Sequence, residues 1–249
     1  MSNIVYTISA RGKPVDIPIG LFLQRNFSHL NPRQIDSVFG FLEYCPIYGG
    51  RRFVERQISN HDVAQLYANN IGVRIPLTSH YVSVEEYDTT RTLLDKYYRK
   101  GNSIITTDDT LASWIKRDYP LYGLEASVIK EIDTQDKIDK ALELYDTVIL
   151  PMRFCIEFDF LDSLKNKDKI TLFANAGCAY NCPAKICYKI ISKSNKTLGR
   201  VHQTGPTCSK ETVPREELGV VDFDINKIAS LGFKRFKLLR PTLNRITGY

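Results

Sequence analysis

The sequence predicts an α/β fold, a (β/α)8 barrel of the TIM type, and three observations support this prediction. Short apolar runs alternate with amphipathic helical segments along the chain, which is the pattern of βα units around a parallel sheet. Eight such runs occur in 249 residues, the strand number and the size of a barrel of this kind. No glycine-rich phosphate loop follows the first run, although an open nucleotide-binding sheet would carry one there.

The predicted strands are short runs rich in Val, Ile, Leu and Phe. In chain order they are residues 4–9, 37–42, 72–78, 103–107, 121–127, 147–152, 170–174 and 232–239. A loop and helix region with three prolines separates the first two strands. We therefore expect a single barrel domain over residues 1–249, with a cysteine-rich loop at about 175–212 after strand seven.

The predicted helices fill the intervals between the later strands. The segment 83–99 begins with Ser83 as a cap, and its acidic residues come early and its basic residues late, which suits the helix dipole. Asn60 is the predicted cap of an earlier helix, and Asp108 or Asp109 caps another. The predicted helices are about 60–68, 83–99, the segment following Asp108 or Asp109, 134–145, 156–164 and 226–231.

Composition restricts the class of protein. The net charge of +6 and pI near 8.9 are moderate, below those of a dedicated nucleic-acid binder. We find no apolar run of about 20 residues and no secretory signal pattern at the start, so we expect a cytoplasmic protein without membrane contact. Cysteines in that compartment are normally reduced, which favours metal binding over structural disulfides.

Four of the six cysteines fall within 31 residues, directly after strand seven. They are Cys178, Cys182, Cys187 and Cys208. Thiolates are soft ligands, and four of them hold either zinc or an iron–sulfur cluster. The spacing does not form the two close pairs of a zinc ribbon, so we predict a [4Fe–4S] cluster, with zinc as the alternative. Cys45 follows strand two and competes with Cys187 for the place of fourth ligand.

The other candidate site residues follow the carboxyl-terminal ends of strands, where barrels carry their chemistry. Four cations there predict an anionic substrate: Arg51, Arg52, Lys237 and Arg240. Glu125 and His80 are candidate catalytic residues. Each has a simpler interpretation, Glu125 as a salt bridge inside the barrel and His80 as a hydrogen-bonded side chain. Cys155 has an apolar context and is predicted to lie in the core.

Three short motifs resemble the collagenase-like peptidase family. They are the cysteine loop Leu172–Pro183, the glycine–arginine segment Tyr48–Arg52 and the strand-eight segment Phe236–Arg240. The family includes the paired ubiquinone-biosynthesis proteins and the tRNA and ribosomal RNA hydroxylation proteins. The chain departs from it in two respects: its cysteine spacing is tighter than in the ubiquinone pair, and we expect it to lack the extra carboxyl-terminal domain of the RNA-modifying members.

The resemblance implies a barrel, a [4Fe–4S] cluster on the cysteines, and oxygen-independent hydroxylation with prephenate as oxygen donor. It supports an oxidoreductase acting on an anionic or aromatic substrate, with RNA as a weaker candidate. A non-catalytic iron–sulfur partner subunit, sensor or virus-like accessory protein is the alternative, with a possible protein partner. A zinc-dependent peptidase is the third interpretation.

Overall fold

The protein forms a closed barrel in which each strand is parallel to both of its neighbours. The computed structural model describes residues 4–177, 179–180, 182, 185–197 and 221–239. The strands are β1 (Val5–Ser9), β2 (Ile35–Phe39), β3 (Gly72–Leu77), β4 (Ser103–Thr106), β5 (Gly123–Ala126), β6 (Thr147–Ile149), β7 (Ile170–Phe173) and β8 (Arg235–Leu238). The predicted (β/α)8 class is confirmed.

Helices follow the strands around the outside of the barrel. Those in the described residues are α1 (Ile19–Phe27), α2 (Asn60–Ala68), α3 (Val84–Lys96), α4 (Asp109–Asp118), α5 (Gln135–Leu142), α6 (Phe158–Ser163), α7 (Cys187–Lys196) and α8 (Ile225–Ser230). None of the helices within these residues is long and apolar enough to span a membrane.

Local hydrogen bonds begin several helices where the sequence predicts. Ser83 caps α3 in a reciprocal capping box with Glu86, and Asp108 caps α4 through Leu111. At α2 the prediction is wrong by one residue. Ser59 is the cap there, in a capping box with Asp62, and Asn60 is the first helical residue.

Strand two differs from its predicted range of 37–42. Phe41 is buried as expected, but its backbone pairs with a loop and not with a strand. Its carbonyl accepts hydrogen bonds from the Gln57 and Ile58 amides at 2.7 and 3.0 Å. The hydrophobicity of this segment therefore reflects burial under the 57–58 loop, and β2 ends at Phe39.

The predicted loop of about 175–212 contains a helix that the sequence analysis missed. This helix, α7, begins at Cys187 and runs to Lys196. Its buried residues are Ser192 and Asn195, so polar side chains occupy positions where a helix usually carries apolar ones.

The interior of the barrel contains a polar network centred on Glu125. Arg74 Nη1 donates to both Glu125 carboxylate oxygens, at 3.0 and 2.9 Å. Thr171 Oγ1 and Thr147 Oγ1 also donate to this carboxylate, at 2.9 and 3.2 Å. β3 and β5 are not adjacent, and neither are β5 and β7, so these side chains meet only by pointing into the barrel. The network fixes the middle of the barrel below the mouth.

Candidate functional site

The cysteine loop leaves the barrel from a firmly held extension of β7. Asn175 is buried and forms an isolated antiparallel bridge with Asp222. Its Oδ1 accepts a hydrogen bond from the Leu239 amide at 2.9 Å, just beyond β8. The loop therefore starts at the carboxyl-terminal mouth, next to the end of β8.

Two of the predicted metal ligands lie in the described part of this loop. Cys182 and Cys187 are both half-buried, and Cys187 is the first residue of α7. The Lys185 amide donates to Cys182 Sγ at 3.3 Å, with Lys185 in the left-handed region at φ 48°. An amide–sulfur hydrogen bond of this kind is a means by which proteins tune cluster thiolates. Cys178 and Cys208 lie outside the described residues, within which no group of three potential metal ligands occurs.

An ion-paired cluster joins the cysteine loop to the segment after β5. Lys185 Nζ lies 2.5 Å from Glu131 Oε1, and Arg153 Nη1 lies 2.6 Å from Glu131 Oε2. Burial opposes ionisation of Glu131, but these two cations outweigh it and lower its pKa below the ordinary value. These residues line a small cavity of about 20 Å³, enough for a water molecule.

Asn195 of α7 attaches the helix to the loop after β2. Its Nδ2 donates to the Tyr48 and Arg51 carbonyls, at 3.0 and 2.9 Å. Its Oδ1 accepts from the Phe53 amide at 2.8 Å, and the side chain is buried. Sequence analysis did not identify this residue, because a single asparagine in a polar segment carries no signal of burial. The contacts bring the cysteine-bearing helix and the arginine-bearing loop together.

The same loop lies against the end of β3 at Gly49. A Cβ at this position would lie 2.1 Å from the Thr78 carbonyl oxygen, so the backbones approach more closely than any side chain permits. The Ser79 amide donates to the Ile47 carbonyl at 3.0 Å, which joins the two loops. Gly49 therefore has a steric function, whereas the constraint at Gly50 is its left-handed backbone at φ +71°.

Arg51 and Lys237 both approach the ring of Phe39. The Arg51 guanidinium carbon lies 5.6 Å from this ring centroid, and Lys237 Nζ lies 4.3 Å from it. Phe39 ends β2 and Lys237 is in β8, with β1 between them, so both side chains point into the barrel. Arg52, by contrast, is exposed, and Arg240 lies outside the described residues. Two of the four predicted cations therefore meet at the mouth.

Lys237 is buried with a relative exposure of 6 %. Within the described residues its ammonium group forms no hydrogen bond and no ion pair. Burial lowers the pKa of Lys237 to about 8, and the positive charges of Arg74 and Arg51 act in the same direction, against the attraction of Glu125. Glu125 thus attracts the Lys237 ammonium from a distance without forming an ion pair with it.

The two candidate catalytic residues occupy different environments. Burial opposes ionisation of Glu125, yet the charges of Arg74 and Lys237 lower its pKa, and three side chains donate to its oxygens. This arrangement favours the salt-bridge interpretation. His80 is half-buried, with Nδ1 3.4 Å from Ser192 Oγ of α7. Burial and the charge of Lys189 lower the pKa of His80, which favours the neutral imidazole.

The remaining described cysteines are buried thiols. Cys45 is 1 % exposed, and its Sγ lies 3.4 Å from the Thr90 hydroxyl of α3. Burial raises its pKa to about 11. Cys155 is likewise 1 % exposed, with its pKa raised by burial to about 12. The predicted core position of Cys155 is confirmed, and the contact of Cys45 is with a helix outside the barrel.

The fold resembles that of a solved structure described as the U32 peptidase Mk0906. The TM-score is 0.66, the alignment covers 97% of this chain and 94% of that chain, and the sequence identity is 12%. No family model and no curated protein matches the sequence. At this identity the likeness shows the fold alone, so the chain shares the barrel fold of that protein.

Proposed function

We propose that this protein binds a [4Fe–4S] cluster at the mouth of the barrel and acts there as an oxidoreductase, of the oxygen-independent hydroxylase type, on an anionic or aromatic substrate. One observation carries the proposal. Asn195 attaches the helix that begins with Cys187 directly to the loop that carries Arg51. This contact supports the proposal, because it attaches a cysteine-bearing helix to an arginine-bearing loop on the face of the barrel where such folds perform catalysis.

The described cysteines suit the cluster. Cys182 and Cys187 are half-buried thiols on a short segment, and Cys182 already accepts a backbone amide hydrogen bond. Cys178 and Cys208 would complete a four-thiolate set. The contact of Cys45 with Thr90, its burial and its raised pKa favour Cys187 over Cys45 as the fourth ligand. The cluster would supply electron transfer or substrate activation at the mouth.

The cations support an anionic substrate. Arg74 is already paired with Glu125, so the ammonium of Lys237 and the guanidinium of Arg51 supply the positive charge above the barrel interior. The ring of Phe39, which both cations approach, offers an aromatic surface to a ring-containing substrate. A small carboxylate such as prephenate suits both features.

Anaerobic purification tests the cluster. We expect a brown protein with stoichiometric iron and sulfide, and loss of the colour when Cys182 is replaced by Ala. The matched control is Cys155→Ala, which should retain the colour. Zinc in place of iron would support the peptidase interpretation and overturn the proposal.

Calorimetric titration with prephenate tests the anion site. We expect Lys237→Met to weaken binding about tenfold or more, since a charge-assisted contact contributes about 1.5–3 kcal/mol. Replacing the exposed Arg52 with Ala serves as the control and should change affinity little. A cluster-containing protein that binds prephenate but never turns over candidate substrates would favour the non-catalytic partner subunit.

A further inference from the structure

The amine of Lys237 differs from the other buried lysine in the described chain. Lys13 is also buried, but its Nζ lies 3.0 Å from Asp62 Oδ2 and donates to the Pro14 carbonyl at 3.1 Å. Those contacts hold Lys13 as a structural ammonium ion. Lys237 Nζ has an aromatic ring 4.3 Å away and no carboxylate or carbonyl partner within the described residues. A buried polar group without a partner destabilises the fold, so its presence at the barrel mouth needs a functional explanation.

The charged groups facing Lys237 stabilise its ammonium form less than water stabilises that of an exposed lysine. Glu125, the acid that attracts it, receives two hydrogen bonds from Arg74 and one each from Thr147 and Thr171. Arg74 and Arg51 are both cationic and disfavour a third positive charge. A lysine that is desolvated and placed beside other cations is the standard arrangement for an amine nucleophile.

We propose that Lys237 is a carbonyl-reactive nucleophile, which forms an imine with an aldehyde or ketone group of an anionic substrate at the barrel mouth. The inference rests on the anion site proposed above for the charge of the substrate, and it does not depend on the cluster. Arg51, whose guanidinium lies near the same Phe39 ring, would bind the carboxylate while the carbonyl carbon faces Nζ.

The chemistry needs no oxidant or reductant. The lone pair of Nζ forms a bond to the carbonyl carbon, and the carbonyl π electrons move to oxygen. A proton passes from nitrogen to that oxygen to give a carbinolamine, which loses water to give the imine. A neutral amine is required, and with a pKa of about 8 roughly a tenth of Lys237 is neutral at pH 7. An exposed lysine has well under a thousandth in that form.

Reductive trapping tests the inference. The whole protein is incubated at pH 7 with glyoxylate, an anionic aldehyde, or acetaldehyde, a neutral one, together with cyanoborohydride. Peptide mapping then locates the added carboxymethyl or ethyl groups. We expect Lys237 to be labelled at least about tenfold faster than the exposed Lys165, with Lys13 unlabelled. Labelling of Lys237 should level off above about pH 8, whereas that of Lys165 should continue to rise.

The outcomes separate this inference from the proposed function. Preference of Lys237 for glyoxylate over acetaldehyde supports both the nucleophile and the anion site. Equal labelling by the two probes supports the nucleophile and counts against the anion site. Labelling of Lys237 no faster than Lys165 overturns the inference, while prephenate titration and iron content decide the proposed function independently. The mapping uses the natural chain, so it does not require that a Lys237 variant folds.

Discussion

Asn195→Ala should detach α7 from the loop after β2 and destabilise the protein. The substitution removes the hydrogen bonds of Asn195 to three buried or part-buried backbone groups: the Tyr48 and Arg51 carbonyls and the Phe53 amide. At about 1 kcal/mol for each net hydrogen bond, the loss is about 3 kcal/mol. Alanine restores about 0.5 kcal/mol through its higher helix propensity. The expected decrease in the free energy of unfolding is therefore about 2–3 kcal/mol.

Urea denaturation followed by circular dichroism measures this change, and hydrogen exchange locates it. We expect the Phe53 amide to exchange faster in the variant, because its acceptor has been removed. Lys193→Ala, at an exposed position of the same helix, is the matched control and should change stability by less than about 0.5 kcal/mol. An Asn195→Ala protein as stable as the control, with unchanged exchange at Phe53, would refute the reasoning.

Three further changes test the packing and the charges of the site. Gly49→Ala should lower the free energy of unfolding by about 2–4 kcal/mol, because its Cβ would overlap the Thr78 carbonyl oxygen. Thermal melting measures this change, and the control is Gly123→Ala, where the nearest atom to the new Cβ is 3.5 Å away. Glu125→Gln should destabilise by about 3–5 kcal/mol, because it removes the buried carboxylate paired with Arg74 and leaves only the more exposed Asp36 carboxylate, 3.2 Å from Arg74 Nη2. Because the pKa of Glu125 is lowered in the fold, the ionised carboxylate stabilises the protein above its unfolded-state pKa, and this stabilisation is lost as the pH falls through the folded-state pKa. The difference in unfolding free energy between wild type and variant should therefore shrink in acid. Lys237→Met should stabilise the protein at pH 7 by up to about 3 kcal/mol, since it removes a desolvated ammonium. The gain should disappear between about pH 8, where the folded wild-type amine loses its proton, and about pH 10.5, where the unfolded chain loses it too.

For each of these three predictions, one result would contradict the reasoning. A Gly49→Ala protein that melts with the Gly123→Ala control would show that the loop shifts without penalty. A constant difference between wild type and Glu125→Gln across the acid range would mean that the carboxylate is not ionised in the fold. A Lys237→Met protein less stable than wild type at pH 7 would indicate an acceptor for the ammonium.

The barrel can be predicted from the sequence because its strands are apolar on the outward face and several of its helices begin at residues that favour capping. Ser83 and Asp108 mark the starts of α3 and α4 by local chemistry alone. Phe41 is predicted to lie in strand two because it is hydrophobic, but a neighbouring loop buries it. Hydrophobicity by itself does not distinguish burial by a loop from burial in a strand.

The candidate site can be predicted from the sequence only in part, because it is formed by contacts between segments that lie far apart in the chain. The prediction of cations after strands two and eight brings Arg51 and Lys237 to the same ring, as the structure shows. The role of Asn195 depends on contacts with residues about 140 positions earlier in the chain, which a local sequence pattern does not reveal. The exposure of Arg52 is likewise set by tertiary packing. The cluster ligands stay a prediction until iron is measured.

The Glu125 network also bears on how this barrel assembles. Its carboxylate is satisfied only when β3, β6 and β7 have all taken their places around β5. A fragment that stops before β7 would lack one donor to this carboxylate, and a fragment that starts after β3 would lack Arg74, the cation that pairs with it. The two halves of this chain should therefore fail as separately expressed pieces, and closure of the ring should coincide with folding of the whole.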